Sequence, residues 1–216
     1  MHELALWLLW PAASVTQLGA GAFARGEFAA AEQLFLMAWQ ARPHANIASN
    51  LAATARRRGN WPVAERWFTE VIERRALALG TSHADTAMAW NNRGETRLRM
   101  GRYGEAREDF KLALTLSHVD SDSAVMLHNL GDLERSVGRF TEARQALEES
   151  LRRRPGAAAT STLLALVLAE LGERALDRAR LPEAMRLCRS AMALAPTLDR
   201  AVRCERRVSA LAVDFH

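Results

Sequence analysis

Residues 90–110 read WNNRGETRLRMGRYGEAREDF. Trp90, Leu98, Tyr103, Ala106 and Phe110 stand among polar residues, and glycines at Gly94, Gly101 and Gly104 interrupt a stretch that otherwise looks helical. That is too much order for a linker. The two adjacent asparagines, Asn91 and Asn92, raise the question of whether they serve packing or a ligand.

The same local phrase recurs along the chain. After Gly26 come Phe28, Ala31, Phe35, Ala38 and Pro43, and after Gly101 come Tyr103, Ala106, Phe110 and Ala113 at the corresponding offsets. Gly59 leads Trp61, Ala64, Phe68 and Val71, while Gly138 leads Phe140, Ala143, Leu147, Ser150 and Pro155. A weaker fifth copy replaces the glycine with Ala179 and continues with Leu181, Ala184, Cys188, Ala191 and Pro196.

Each residue type in the phrase has a physical task. Glycine permits a tight left-handed turn between two helices, and the large residue after it anchors the start of the second helix. The alanine lets helices approach closely, and the large residue four positions later fills the gap beside it. One such helix pair cannot bury its own apolar face, but stacked pairs share a continuous core.

Composition agrees with an all-helical chain. In 216 residues the hydrophobic share is 49%, prolines number 6, and alanine, leucine, glutamate and arginine dominate, all helix formers. The net charge is +4, with Lys111 the only lysine, and acidic side chains are interspersed with the arginines nearly one for one. A nucleic-acid partner is therefore not expected. Cys188 and Cys204 sit in no metal-spaced cluster, and two cysteines do not describe a disulfide scaffold, so a reducing, cytoplasmic setting is expected, with one bridge between them left open. The opening MHELALWLLWPAASV has Glu3 where a secretory signal carries positive charge, and its apolar run is too short to span a bilayer. Residues 1–11 are expected to be an amphipathic or capping segment, with no transmembrane segment.

With these motifs the chain resembles the tetratricopeptide-repeat family. Gly19, Ala52, Gly94, Gly131 and Gly172 fall at that family's small first-helix position, seven residues before each turn, and Val15, Ala48, Trp90, Leu127 and Leu168 at its first large position. The resemblance implies an all-α, right-handed superhelical solenoid of antiparallel helix hairpins, with cores at 12–45, 45–78, 87–120, 124–157 and 165–198. The turn positions 26, 59, 101, 138 and 179 are not evenly spaced, and the stretch from Trp61 through LGTSHADTAMAWNNRGE looks like the longer subclass found in kinesin light chains. Residues 199–216 are expected to close the array, with Leu198, Val202, Val208 and Leu211 as an irregular apolar stripe.

In that family the first helix of each pair lines a concave groove. The equivalent groove position is held by Gln17, Asn50, Asn92, Asn129 and Glu170, so three consecutive units carry asparagine. An amide side chain offers a donor and an acceptor and suits successive backbone amides of a bound peptide; it also suits hydrogen bonding between neighbouring helices. Asn91 and His128 stand just before the asparagine position and Glu95 and Asp132 three residues after it, which completes the expected groove. Arg56, Arg57, Arg99 and Arg135 near the same helix ends are candidates for charge selectivity or ordinary solvated charges.

Nothing in the sequence requires chemistry. The histidines lack metal-ligand spacing, the glycines are isolated hairpin residues rather than a phosphate loop, and no acidic pair stands apart from a helix surface. No cofactor and no enzymatic activity are expected. Two functions remain: a scaffold that holds a partner peptide or short helix in its groove, and a structural assembly protein, a homo-oligomer built on helix edges, for which Trp7, Trp10 and Trp39 are the candidate anchors.

Overall fold

The structure, a computed structural model, describes residues 12–80 and 83–213. The segment 1–11, with Trp7 and Trp10, lies outside the described residues. Among those described, the regular structure is helical throughout: α1 (Ala12–Ala24), α2 (Phe28–Ala41), α3 (Ala45–Arg57), α4 (Trp61–Leu79), α5 (Ala84–Arg99), α6 (Tyr103–Leu116), α7 (Asp120–Ser136), α8 (Phe140–Arg153), α9 (Ala158–Asp177), α10 (Leu181–Leu194) and α11 (Asp199–Val213).

The chain divides into two compact units, one ending at Leu116 and the other beginning at Ser117. In the first, α1 pairs with α2, α3 with α4 and α5 with α6, and each second helix packs on the first helix of the following pair. In the second, α7 pairs with α8 and α9 with α10, and α11 closes the end against α10 and α9. This is an all-α helix-hairpin solenoid architecture. The first helices of the last three pairs start upstream of the cores drawn from sequence, at Ala84, Asp120 and Ala158.

The recurring phrase is the packing rule. Ala31, Ala64, Ala106, Ala143 and Ala184 are fully buried, as are the large residues after them: Phe35, Phe110 and Leu147 have at most 1% of their surface exposed. The small first-helix residue faces that large one. A β-carbon on Gly94 would come within 2.8 Å of Phe110 Cε1, and on Gly131 within 2.6 Å of Leu147 Cγ. Glycine lets the two helices meet closely over these side chains, and in the second pair the small Ala52 takes that place in one buried cluster with Phe68.

The turns read as expected. Gly101 adopts φ 74°, and Ala179, which replaces the glycine in the fifth pair, is held in the same left-handed region at φ 55°. Where the fourth phrase carries Ser150 in place of an apolar residue, the buried hydroxyl donates to the carbonyl of Ala124 at 2.7 Å, so the polar group is satisfied without leaving the core. In α11 the seam that meets the core is Ala201, Cys204 and Val208; of the stripe expected there, Val208 is buried and Leu211 is exposed.

Candidate peptide groove

Three charged side chains of the 90–110 stretch, Arg93, Arg97 and Asp109, turn inward. Arg93 donates from Nε to Asp109 Oδ2 at 3.0 Å and from Nη2 to Oδ1 at 2.8 Å, and reaches Thr69 Oγ1 at 3.2 Å. Arg97 bonds Asp109 Oδ2 at 2.9 Å and Glu65 Oε1 at 2.7 Å, and Arg102 bonds Glu65 and Glu105. Asp109 is 2% exposed, so its carboxylate is buried between two guanidinium groups that tie α4, α5 and α6 together. Trp90 lies over the same centre, with the Arg93 guanidinium 4.4 Å from its ring.

This network is not among the features expected from the sequence. The signal was present: Arg93 and Arg97 sit one turn apart on a helix face that other pairs fill with apolar residues, such as Leu51 and Ala55 in α3. Arginine on an interior stripe needs an anion opposite, and Asp109 is the acidic residue beside Phe110 in the facing helix.

The expected groove residues separate into used and unused groups. Asn91 is 1% exposed and already engaged within the chain, so it belongs to the interior and not to a groove surface, a correction that follows from its place on the packed side of α5. Its neighbour Asn92 is half-buried, as is Asn50 in α3. Their backbone carbonyls accept bonds from Thr96 and Thr54 one turn on, at 2.8 and 2.7 Å. Among the described residues, neither side-chain amide has a hydrogen-bond partner. Asn50 also lines a small cleft of about 90 Å³ with Ala20, Phe23, Phe35 and Ala53, between α1 and α3.

Arg56 and Glu95 meet at 2.5 Å and bridge α3 to α5. Arg57 stacks 5.1 Å from the Phe28 ring and Arg135 pairs with Asp132 at 2.7 Å. Arg99 is exposed. Gln17 is exposed on α1 beside Ser14, Leu18, Gly21 and Arg25.

In the second unit the corresponding residues are occupied. His128 Nδ1 lies 3.0 Å from Thr160 Oγ1, linking α7 to α9, and Asn129 is engaged within the chain. Glu170 is tied to Arg174 and Arg200. Of the three asparagines at the groove position, the open ones are therefore Asn50 and Asn92, both in the first unit.

Among the described residues no group of three or more histidine, cysteine or acidic side chains is placed to hold a metal ion, and no helix is long and apolar enough to cross a membrane.

Comparison with known proteins places this geometry. No curated protein matches the sequence. Among solved structures the fold is similar to MamA, at 18% identity over 85% of this chain and 91% of that one with a TM-score of 0.65. It is also similar to PilF of Pseudomonas aeruginosa, at 20% identity over 94% and 85% with a TM-score of 0.69. MamA from residue 41 onward of Desulfovibrio magneticus RS-1 matches at 13% identity over 88% and 97% with a TM-score of 0.67. At these identities the likeness is one of fold. Residues 43–117 and again 123–154 match the tetratricopeptide repeat. Both matched stretches lie on stacked helix hairpins, so these two segments of the chain are similar to the tetratricopeptide repeat.

Proposed function

We propose that the protein is a non-catalytic scaffold whose first unit holds an extended partner peptide along α1, α3 and α5. The observation that carries this reading is the pair of half-buried, unpartnered amides of Asn50 and Asn92 at equivalent positions of consecutive first helices. Amides that are half-exposed and free of protein partners are solvated in the free protein and can exchange water for a ligand's polar groups. Each amide offers one acceptor and two donors, which matches the carbonyl and N–H of a peptide backbone and leaves the peptide's side chains unspecified. Selectivity would come from the Arg56–Glu95 pair that bridges α3 to α5 and from exposed Arg99, a mixed-charge set that favours a peptide carrying both signs. Within the family, the nineteen-residue α4 supports placing the 61–95 stretch with the longer, kinesin-light-chain-like repeats.

Affinity capture from native extract tests the reading, with wild type compared against the Asn50/Asn92/Asn129 triple-alanine protein after circular dichroism has matched their helicity. A partner retained by wild type and lost by the variant is expected. Equal recovery would remove the groove from consideration.

A second reading, assembly through helix edges, rests on a different feature. Trp39 is packed edge-to-face on Trp67 with centroids 5.1 Å apart and is covered by Arg74, so it is not a free anchor. Leu77, at 87% exposure near the end of α4, is the apolar side chain that self-association would cover. A monomer mass unchanged over a hundredfold range of concentration would end this alternative.

The cytoplasmic setting is likewise a proposal. It rests on the small number of cysteines, and a reducing compartment would keep Cys188 and Cys204 as thiols unless an oxidant closes them. Cell fractionation tests it: recovery of the native protein outside the cytoplasm would refute it.

A further inference from the structure

We propose that Cys188 and Cys204 are an oxidation-operated clamp that fixes the closing helix α11 onto the last hairpin. The two cysteines face each other across α10 and α11 as a disulfide, with Cα atoms 5.4 Å apart and a sequence separation of 16. That separation lies within the span a disulfide accepts.

The position of Cys188 gives the pair its meaning. In the other four phrases the same place is filled by Phe35, Phe68, Phe110 and Leu147, each of which packs against the small residue of its first helix. Here the small residue is Gly172, and a β-carbon on it would meet Cys188 Sγ at 2.7 Å and Cys204 Sγ at 3.0 Å. The space that a ring or leucine occupies elsewhere holds two sulfurs, one from each helix. Cys188 is 0% and Cys204 1% exposed, and Cys204 Sγ also lies 3.5 Å from the carbonyl of Ala169.

Little else anchors α11. Its buried seam consists of Ala201, Cys204 and Val208, which is short on apolar area for a fifteen-residue helix. Arg200 pairs with Glu170 and Glu173, both partly covered, while Arg189–Glu205 and Arg207–Asp177 are long at 3.6 Å, the second of them solvent-exposed on both sides. Exposed pairs of that kind hold helices weakly. With thiols in place of the disulfide, α11 depends on three small contacts and these ion pairs. With the bond closed, it cannot leave.

Closure is a thiol–disulfide exchange with a low-molecular-weight disulfide of the glutathione class as oxidant. When α11 opens, one cysteine thiolate attacks a sulfur of that disulfide, forming a mixed disulfide and releasing one small thiol. The second cysteine thiolate then attacks the protein sulfur of the mixed disulfide and releases the other small thiol. The two electrons and two protons lost by the cysteines leave with the two small thiols. Burial makes the opening of α11 the step that admits reagent, so the clamp locks the state in which the last repeat is covered.

The full chain is incubated with glutathione disulfide or with dithiothreitol, its mass is read for the loss of two hydrogens, and amide hydrogen exchange is followed by mass spectrometry. The expected result is an intramolecular bond and exchange in α11 slower by about a hundredfold when oxidised, the effect of closing a loop of this size, with α7 and α8 unchanged. The Cys204→Ser variant should show no redox response in α11. Equal α11 exchange in the two wild-type states would overturn the clamp, as would a protein that gains only mixed glutathione adducts, or a Cys204→Ser protein that still responds.

Discussion

Arg93 and Asp109 form a two-pronged ion pair in the interior of the first unit, with both carboxylate oxygens bonded at 2.8 and 3.0 Å and 2% of Asp109 exposed. Removing one partner of such a pair leaves the other buried and uncompensated, and here Arg97 also loses one of its two close carboxylate partners and keeps Glu65. Asp109→Ala should therefore destabilise the protein by about 3–5 kcal/mol, measured by urea unfolding. A loss below about 1 kcal/mol would show that the network is solvated and contributes as little as a surface pair.

The same network sets an acid limit. Burial pushes the Glu65 carboxyl up, but hydrogen bonds and charge from Arg97 and Arg102 outweigh it and hold the group below the usual carboxylate range. A carboxylate depressed in the folded state contributes stability above its unfolded value near 4.3, and this is lost as pH falls through the lower folded value. Unfolding followed between pH 6 and pH 3 should show a loss that Glu65→Gln reduces. An identical pH dependence in the variant would mean that Glu65 is not coupled to folding.

Gly94 meets Phe110 closely enough that a β-carbon there would lie 2.8 Å from the ring and 3.1 Å from Asp109 Cβ. Gly94→Ala should cost about 1–3 kcal/mol through forced separation of α5 and α6, despite the better helix propensity of alanine. Thermal unfolding checks this, and a raised midpoint would contradict the packing rule drawn from the repeats.

Ala179 pays for a conformation that glycine holds at the other hairpin turns, with φ 55° against 74° at Gly101. Ala179→Gly should stabilise the second unit by about 0.5–1 kcal/mol, since a non-glycine residue in the left-handed region costs roughly 1–2 kcal/mol and glycine adds some chain entropy to the unfolded state. A destabilised variant would show that the turn is not strained.

The hairpins were legible in the sequence because their spacing is enforced by contact: Gly131 must face Leu147, and Ala143 must let the helices close, so neither can drift without losing the fold. The groove was less legible because a helix turns by about 100° per residue, and adjacent positions such as Asn91 and Asn92 look alike in sequence while one is interior and the other half-exposed. The Arg93–Asp109 centre was hidden for a related reason. Charged residues on a helix read as surface until the facing helix shows a counter-charge on the same stripe, and only the pairing of α5 with α6 brings Asp109 there. Likewise the sequence left the Cys188–Cys204 pairing open, which depended on how α11 lies against α10.

The central claim concerns two amides, so the most direct measurement is calorimetric titration of the captured partner's binding peptide into wild type, Asn50→Ala, Asn92→Ala and Asn129→Ala. The account predicts that the first two substitutions each weaken binding about tenfold, the effect of losing hydrogen bonds of about 1–2 kcal/mol, while Asn129→Ala, whose amide is already engaged, changes it far less. Affinities for Asn50→Ala and Asn92→Ala equal to wild type would contradict it.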